Sequence, residues 1–294
     1  MEPNPVLKKL GLDTTDRAVI IHADDIGMCQ ASISAFSELS EYGLITSGAV
    51  MVPCPWFLEV ARYARENPAI DLGVHLTLTS EWKTYRWGPI STRDPNSGMI
   101  DAQGYFFARA DEAREHGDPI MVQKELEAQI QHAISAGISP THIDTHMGTV
   151  AHPKFMPSYI QLSMQFHLPV MIARLDELGY QKIGLDPQTA ALAARMVVEL
   201  EKNGLPLLDH ITGMPLDSAD QRISRTIQSL KDLPPGITHF IIHPSKDTPE
   251  LRSITPDWAC RVADYETFLS SEVEAAIKDL GIIRIGYQAI KDIM

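Results

Sequence analysis

The chain has 294 residues, of which 44% are hydrophobic and 21% are charged, a composition typical of globular proteins. Its formal net charge of −13 argues against nucleic acid or an anionic membrane as the main partner, because both attract basic surfaces. The three cysteines, Cys29, Cys54 and Cys260, are widely scattered and suggest neither a disulfide framework nor a cysteine metal site.

No targeting or membrane segment is recognisable in the sequence. Residues 1–18 lack an apolar stretch of the kind found in signal peptides. No window reaches about 18 uninterrupted apolar residues, the length that a transmembrane helix needs. We therefore expect a cytoplasmic protein in a reducing compartment, without a membrane partner.

Short apolar segments alternate with helical segments along the chain. Strands are predicted at residues 18–23, 45–52, 70–78, 141–146, 168–173, 205–211, 237–243 and 282–287. Helices are predicted within residues 57–68, 119–137, 186–204, 217–236 and 270–281. Continuous apolar runs are typical of parallel strands covered on both faces. The alternation predicts an α/β fold, a (β/α) barrel with seven or eight parallel strands, in a single domain spanning residues 1–294.

Residues 80–118 do not follow this alternation. They are rich in Gly, Pro, Asp and aromatic residues and are too long for a simple connection in a compact domain. We interpret them as an insertion at the rim of the barrel. Trp82, Tyr85 and Trp87 in this insertion either stack on the faces of a sugar or pack within the loop, and Trp82 is a candidate for substrate binding.

Imidazoles and carboxylates recur where the predicted strands end. In parallel α/β proteins the carboxyl ends of all strands open on one face, where ligands bind. These side chains are therefore expected to converge on one pocket, where Asp209 and His210 are candidates for contact with the substrate. The residues concerned are Asp24, Asp25, His75, Asp144, His146, Asp209, His210 and His243.

Several imidazoles with a carboxylate are typical ligands of Zn²⁺ or another divalent ion. Adjacent residues of a strand point to opposite faces, so Asp24 and Asp25 are expected to have different tasks. Asp25 is the candidate metal ligand and Asp24 the candidate base that takes a proton from water. His243 is the candidate acid that protonates the leaving group.

Each of these residues also has an ordinary structural interpretation. A lone Asp-Asp pair is usually a turn or a helix N-cap, and a single histidine is more often structural than a metal ligand. His22, His142 and His239 lie within predicted strands and are interpreted as core residues with hydrogen bonds. Only the coincidence of residue types across several strand ends favours a metal site.

Several motifs resemble those of the YdjC-like carbohydrate deacetylases, the family that contains chitooligosaccharide and diacetylchitobiose deacetylases. They occur in the family's order and span nearly the whole chain. The matching segments are HADDIG at 22–27, GLITSGAVMV at 43–52, LGVHLTLT at 72–79, PTHIDTH at 140–146, IIHP at 241–244 and, more loosely, LDHITG at 208–213.

The resemblance implies a (β/α)-barrel deacetylase that hydrolyses an N-acetyl group from an amino sugar or a short oligosaccharide. It implies one divalent metal ion, magnesium or zinc, bound by Asp25, His75 and His146. It further implies Asp24 as the base and His243 as the acid. Family members are often dimeric, so a homodimer is expected.

One segment departs from the family pattern. Where the family often has a run of histidines after its metal ligand, this chain has DTHMGTVAHP, with Gly148 and Val150 in their place. The departure leaves the identity of the sugar open. Two other functions compatible with the sequence are a metal-dependent phosphoesterase on a similar barrel and a sugar-binding protein with an inactive site.

Overall fold

The computed structural model describes residues 2–294, in which thirteen α-helices and seven β-strands alternate along the chain. The strands are β1 Arg17–Ile26, β2 Ser47–Val50, β3 Leu72–Leu76, β4 Ile143–Thr145, β5 His210–Gly213, β6 Gly236–Ile242 and β7 Ile283–Arg284. The first seven helices are α1 Pro5–Lys9, α2 Gln30–Tyr42, α3 Phe57–Glu66, α4 Ala110–His116, α5 Pro119–Ser135, α6 Met156–Phe166 and α7 Glu177–Lys182. The remaining helices are α8 Pro187–Lys202, α9 Arg222–Lys231, α10 Pro249–Ile254, α11 Trp258–Thr267, α12 Ser271–Asp279 and α13 Tyr287–Lys291.

All strands belong to one curled parallel sheet with the order β4-β3-β2-β1-β6-β5, and β7 pairs with β1 beside this path. Residues 168–174 connect the two edges of the sheet, through parallel bridges between Ile143 and Val170 and between Ala173 and Leu208. The predicted α/β fold, a (β/α) barrel with seven or eight parallel strands, is confirmed, and its seven strands form one curled parallel sheet. The predicted strand at 168–173 is reduced to these two bridges.

Local sequence signals explain where several helices begin. The Asp118 side chain accepts hydrogen bonds from the amides of Ile120 and Met121 at the start of α5. Asp186 caps α8 in the same way, and in both helices a proline occupies the first turn. Capping aspartates and first-turn prolines are favoured because the first amides of a helix lack intrahelical partners.

The interior of the barrel is layered along β1, because alternate residues of a strand face opposite sides. Ala18 and Ile20 face inward and pack in a small apolar cluster with residues of α1 and α13. The next inward residues, His22 and Asp24, are also buried. The odd-numbered neighbours Val19, Ile21 and Ala23 belong to the larger core under the surrounding helices. The barrel is therefore apolar at the amino end of its strands and polar towards the carboxyl end.

The strand predicted at residues 205–211 is wrong in its boundaries, because β5 begins only at His210. His210 pairs with Thr238 near the start of β6, and Asp209 accepts a hydrogen bond from the amide of Ile237. The apolar run Leu205–Leu208 is buried but lies before the strand. Asp209 and His210 therefore lie at the amino end of the sheet, opposite to the end predicted for them.

The segment 80–118 contains no strand but has a 3-10 helix at Pro95–Ser97, the helix α4 and a single antiparallel bridge between Ile100 and Phe106. Trp82, Trp87 and Phe106 are buried and join the main hydrophobic core. The segment is thus packed against the barrel.

Within residues 2–294, no helix has both the length and the apolar character needed to cross a bilayer.

A test of barrel closure is provided by Tyr159, which is buried between β4 and the connecting segment. Its hydroxyl donates to the carbonyl of Ile143 at 2.7 Å and accepts from the amide of Met171 at 3.0 Å. We expect Tyr159→Phe to lower the free energy of unfolding by about 1–3 kcal/mol, because it removes both bonds in a buried position. The measurement is urea unfolding. Exposed Tyr105 offers the control Tyr105→Phe, and equal midpoints for the two variants would contradict the prediction.

Candidate active site

The two adjacent carboxylates of β1 reach the same pocket because the strand carries an extra residue. Ala23 pairs with Gly48 and Ile26 with Val50, so three steps on β1 match two steps on β2, as in a β-bulge. Asp25 within this bulge has a φ of 61°, a left-handed conformation that is uncommon outside glycine but better tolerated by Asp and Asn. The bulge turns Asp25 to the side that Asp24 already faces.

Three ligand-type atoms face one another at the carboxyl end of the barrel. Asp25 Oδ1 lies 3.4 Å from His75 Nε2 and 3.1 Å from His146 Nδ1. The two imidazole nitrogens are 3.3 Å apart. All three side chains are buried, and Asp25 Oδ1 has no hydrogen-bond partner. A convergent pair of imidazoles with an unpartnered carboxylate oxygen matches the donor set of a divalent metal site.

The remaining atoms of the three residues are engaged by other side chains. His75 Nδ1 lies 2.9 Å from Asp144 Oδ1, and His146 Nε2 lies 3.1 Å from Glu81 Oε2. Arg261 donates through Nη1 to Asp25 Oδ2 at 2.7 Å. Carboxylate partners on the outer nitrogen orient a ligating histidine and select its tautomer. These contacts leave the inner atoms free to hold an ion.

The electrostatics of the site also favour a cation. Burial opposes the charge on Asp25, but Arg261 and His146 hold the pKa of this carboxyl well below its usual range. Burial likewise opposes the imidazolium of His75, but Asp144 and Asp24 raise its pKa well above the usual value. For His146, Glu81 and Asp25 overcome burial and raise the pKa to about 9. The cluster therefore attracts positive charge, as protons when no metal is bound.

The carboxylates at the site outnumber its fixed positive charges. Asp24, Asp25 and Asp144 are three buried carboxylates at this end of the barrel. Arg261, also buried, supplies one positive charge, which it shares between Asp25 and Asp257. A divalent cation would offset part of the remaining negative charge and leave the two histidines neutral, as metal coordination requires.

Asp24 and His243 lie next to these three residues. Asp24 Oδ1 forms a 2.7 Å hydrogen bond with His22 Nδ1, whereas Oδ2 lies 3.8 Å from His75 Nε2 and 3.9 Å from His243 Nε2. Burial opposes the charge on Asp24, but His75 and His22 keep its pKa below the usual value. The backbone amide of His243 donates to Asp264, and its side chain is 20% exposed. Asp24 is thus buried beside the cluster, and His243 is the partly exposed member of the pair.

A second group of ligand-type side chains, His22, Asp24, Asp144 and His239, adjoins the first. Both ring nitrogens of His22 are engaged, Nδ1 with Asp24 and Nε2 with His142 at 2.8 Å. His239 Nδ1 lies 2.8 Å from the hydroxyl of Tyr287. These hydrogen bonds confirm the interpretation of the three strand histidines as buried, hydrogen-bonded core residues.

The predicted substrate contacts are not brought to this pocket. Asp209 accepts from Asn4 and lies 3.4 Å from Arg174, and His210 Nε2 contacts the carbonyl of Pro235, all at the amino end of the barrel. Their placement there follows from the late start of β5. Trp82 is close to the site, but its ring packs against Trp87 at 5.3 Å and against the Arg261 guanidinium at 5.7 Å.

Sequence reasoning missed Glu81 and Arg261. Glu81 follows the third predicted strand by a few residues, within the segment interpreted as an insertion. Arg261 lies on α11, for which no helix was predicted. No spacing in the sequence connects either residue with Asp25 or His146.

The two positions at which the sequence departs from the resembling histidine run are also defined. Val150 is fully buried, and Gly148 has a φ of 62°.

Comparisons with known proteins identify similar chains. The family model described as YdjC-like protein matches residues 18–279. A carbohydrate deacetylase of Thermus thermophilus is 31% identical over 93% of this chain and 94% of its own length. A carbohydrate deacetylase of Thermoanaerobacter pseudethanolicus is 23% identical over 93% and 99%. A crystal structure from Enterococcus faecalis, described provisionally as a cellobiose-phosphate cleavage protein, has the same fold, with a TM-score of 0.75 and 23% identity over 94% and 99% of the two chains.

Metal binding is expected to release protons from the site. The pKa of His146 is raised to about 9, so His146 is protonated in the metal-free protein at pH 7, and the pKa of His75 is shifted in the same direction. Ligating histidines must be neutral, so we expect release of at least one proton per ion at pH 7 and less release once the pH exceeds 9. Calorimetric titration with Zn²⁺ in buffers of different ionisation enthalpy measures this number, and binding without proton release would contradict the assignment.

Two matched substitutions test which histidines bind the ion. His146→Gln should weaken metal affinity by at least about 100-fold, because it replaces a ligand rather than an outer partner. His210→Gln, at the amino end of the barrel, should leave the affinity unchanged. An equal loss in both variants would show that the cluster is not the site.

Proposed function

Because the chain belongs to the YdjC-like family, we propose that it is a metal-dependent hydrolase that removes an N-acetyl group from an amino sugar or a short oligosaccharide. The observation that carries this proposal is the convergence of Asp25, His75 and His146 beside a separate carboxylate, Asp24. A base adjacent to a metal site, but not part of it, is what amide hydrolysis at such a site requires. The substrate class is inferred from the relatives named as carbohydrate deacetylases.

We assign Asp25 Oδ1, His75 Nε2 and His146 Nδ1 as ligands of one divalent ion, magnesium or zinc. When bound, the ion supplies a Lewis acid that polarises the amide carbonyl and lowers the pKa of water. Asp144 and Glu81 hold the two imidazoles in the orientation that these roles require. The single-ion assignment rests on the hydrogen bonds that already engage His22 in the second group.

In this proposal Asp24 is the general base. Its Oδ1 is engaged by His22, so Oδ2 is the oxygen available to take a proton from the attacking water. The depressed pKa keeps Asp24 ionised before reaction. The oxygen of that water forms a bond to the acetyl carbon while Asp24 receives the proton.

His243 is assigned as the general acid. Its Nε2 lies 3.9 Å from Asp24 Oδ2, so the two groups can reach the same amide, Asp24 through the attacking water and His243 at the nitrogen. His243 donates a proton to the nitrogen as the carbon–nitrogen bond breaks. The products are acetate and an amino sugar with a free amine. The cytoplasmic location and the homodimer stay predictions from the sequence.

Removal of the base tests the assignment of Asp24. We expect Asp24→Asn to lower kcat by about 10²–10⁴-fold, because an amide cannot accept the proton, while metal binding persists. Acetate release from a panel of N-acetylated sugars is the readout. Asp279→Asn, on the exposed end of α12, is the control for the loss of one carboxylate. An Asp24→Asn variant with full activity would show that another group is the base.

The same panel, extended by sugar phosphates, separates the deacetylase from the two other functions. A phosphoesterase would release phosphate from sugar phosphates and no acetate, and two or more ions per chain would favour it. A sugar-binding protein would bind the panel without turnover. One ion per chain together with acetate release is the outcome expected here.

A further inference from the structure

The interior of the barrel contains a chain of hydrogen-bonded side chains that starts at Asp24. His22 Nδ1 lies 2.7 Å from Asp24 Oδ1, and His22 Nε2 lies 2.8 Å from His142 Nε2. His142 Nδ1 lies 3.0 Å from the hydroxyl of Thr141, which lies 2.6 Å from Asp71 Oδ1. Asp71 directly precedes β3, so this series of hydrogen-bonded side chains runs from the carboxyl end of the barrel to its amino end.

We propose that His22 is a positioning residue for Asp24, and that the hydrogen-bonded side chains His142, Thr141 and Asp71 fix the orientation in which the His22 ring donates to Asp24. This inference rests on the proposed deacetylase function, in which Asp24 is the base. It assigns a role to imidazoles that touch neither the substrate nor the three metal ligands.

The geometry at Asp24 explains why this general base needs a positioning residue. A carboxylate can rotate and present either oxygen, and only Oδ2 faces His75 and His243. The bond from His22 holds Oδ1 on the inner side. An ionised carboxylate only accepts hydrogen bonds, so His22 must carry a proton on Nδ1 for this bond to form.

The next groups in the chain hold the His22 ring in this orientation. The hydroxyl of Thr141 donates to Asp71 Oδ1, which also accepts from the hydroxyl of Ser47, while Asp71 Oδ2 accepts from the amide of Gln288. Burial lowers the pKa of His142 well below its usual value, so this ring is neutral, and its Nδ1 donates to the Thr141 oxygen. His142 Nε2 then carries no proton and accepts from His22 Nε2, so His22 donates from both of its ring nitrogens.

His142 is held firmly enough to act as an anchor. Its ring stacks on Tyr287 with centroids 3.8 Å apart and an interplanar angle of 13°. On another side it packs on Gly73, where a Cβ atom would lie only 2.4–2.6 Å from three atoms of the ring. The close approach of strand β3 therefore depends on glycine at this position. His22 and His142 are both fully buried.

A pair of substitutions at His22 distinguishes the roles of its two ring nitrogens. In His22→Asn the amide nitrogen occupies roughly the place of Nδ1 and keeps a donor to Asp24, whereas in His22→Gln it occupies roughly the place of Nε2. Both variants lose the ring, and the smaller Asn leaves the larger cavity, so a smaller loss of kcat in His22→Asn cannot come from packing. We expect kcat to fall by about 10²-fold in His22→Gln and by less than about 10-fold in His22→Asn, with KM and metal affinity unchanged in both.

Thr141→Val tests the far end of the chain and is nearly isosteric. It should lower kcat by about 3–10-fold at unchanged KM, because the tautomer of His142 is no longer selected. The kcat of Thr141→Val also tests the proposal if the His22 variants do not fold. Unchanged kcat in Thr141→Val, or equal kcat in folded His22→Asn and His22→Gln, would overturn the proposal. Absence of acetate release by the unaltered enzyme would instead refute the deacetylase function itself.

Discussion

Burial of three carboxylates at one end of a barrel is the constraint on which the rest of the site depends. Asp24, Asp25 and Asp144 are almost completely removed from water, and isolated charges in such positions are strongly destabilising. The surrounding residues compensate for them in different ways: Arg261 binds Asp25, His75 binds Asp144, and His22 binds Asp24. The charge that remains uncompensated is suited to a cation. Thus the features that stabilise the folded chain and those that prepare it for chemistry are the same contacts.

Much of the fold and of the candidate site could be predicted from local patterns. Continuous apolar runs identified β1, β2, β3, β4 and β6, and the polar residues that follow them converge as expected. The prediction succeeded there because the carboxyl ends of parallel strands necessarily share one face. It failed at β5, where the apolar run at residues 205–208 is a buried approach to the strand rather than the strand itself. An apolar run reports burial, and burial alone does not locate the hydrogen-bonded ladder.

Other features depend on contacts between distant parts of the chain. Arg261 is separated from Asp25 by 236 positions, and nothing near it in the sequence indicates a partner at the barrel mouth. The aromatic residues of the 80–118 segment could be assigned equally to a sugar or to packing, and the structure buries Trp82 and Trp87 in the core. The histidines His22 and His142 were interpreted as core residues, and they are. Their mutual contact, which links Asp24 to the far end of the barrel, depends on the close packing of β3 and becomes visible only in three dimensions.

The left-handed backbone at Asp25 has a practical consequence for protein engineering. Most side chains are strained at a φ of 61°, whereas asparagine and glycine adopt it readily. Replacing this ligand with alanine would therefore mix the loss of a donor atom with a rearranged main chain, and the two effects could not be told apart. Asparagine retains the shape of the bulge while it removes the charge and replaces one carboxylate oxygen, so libraries that aim to exchange the bound ion should sample that residue first.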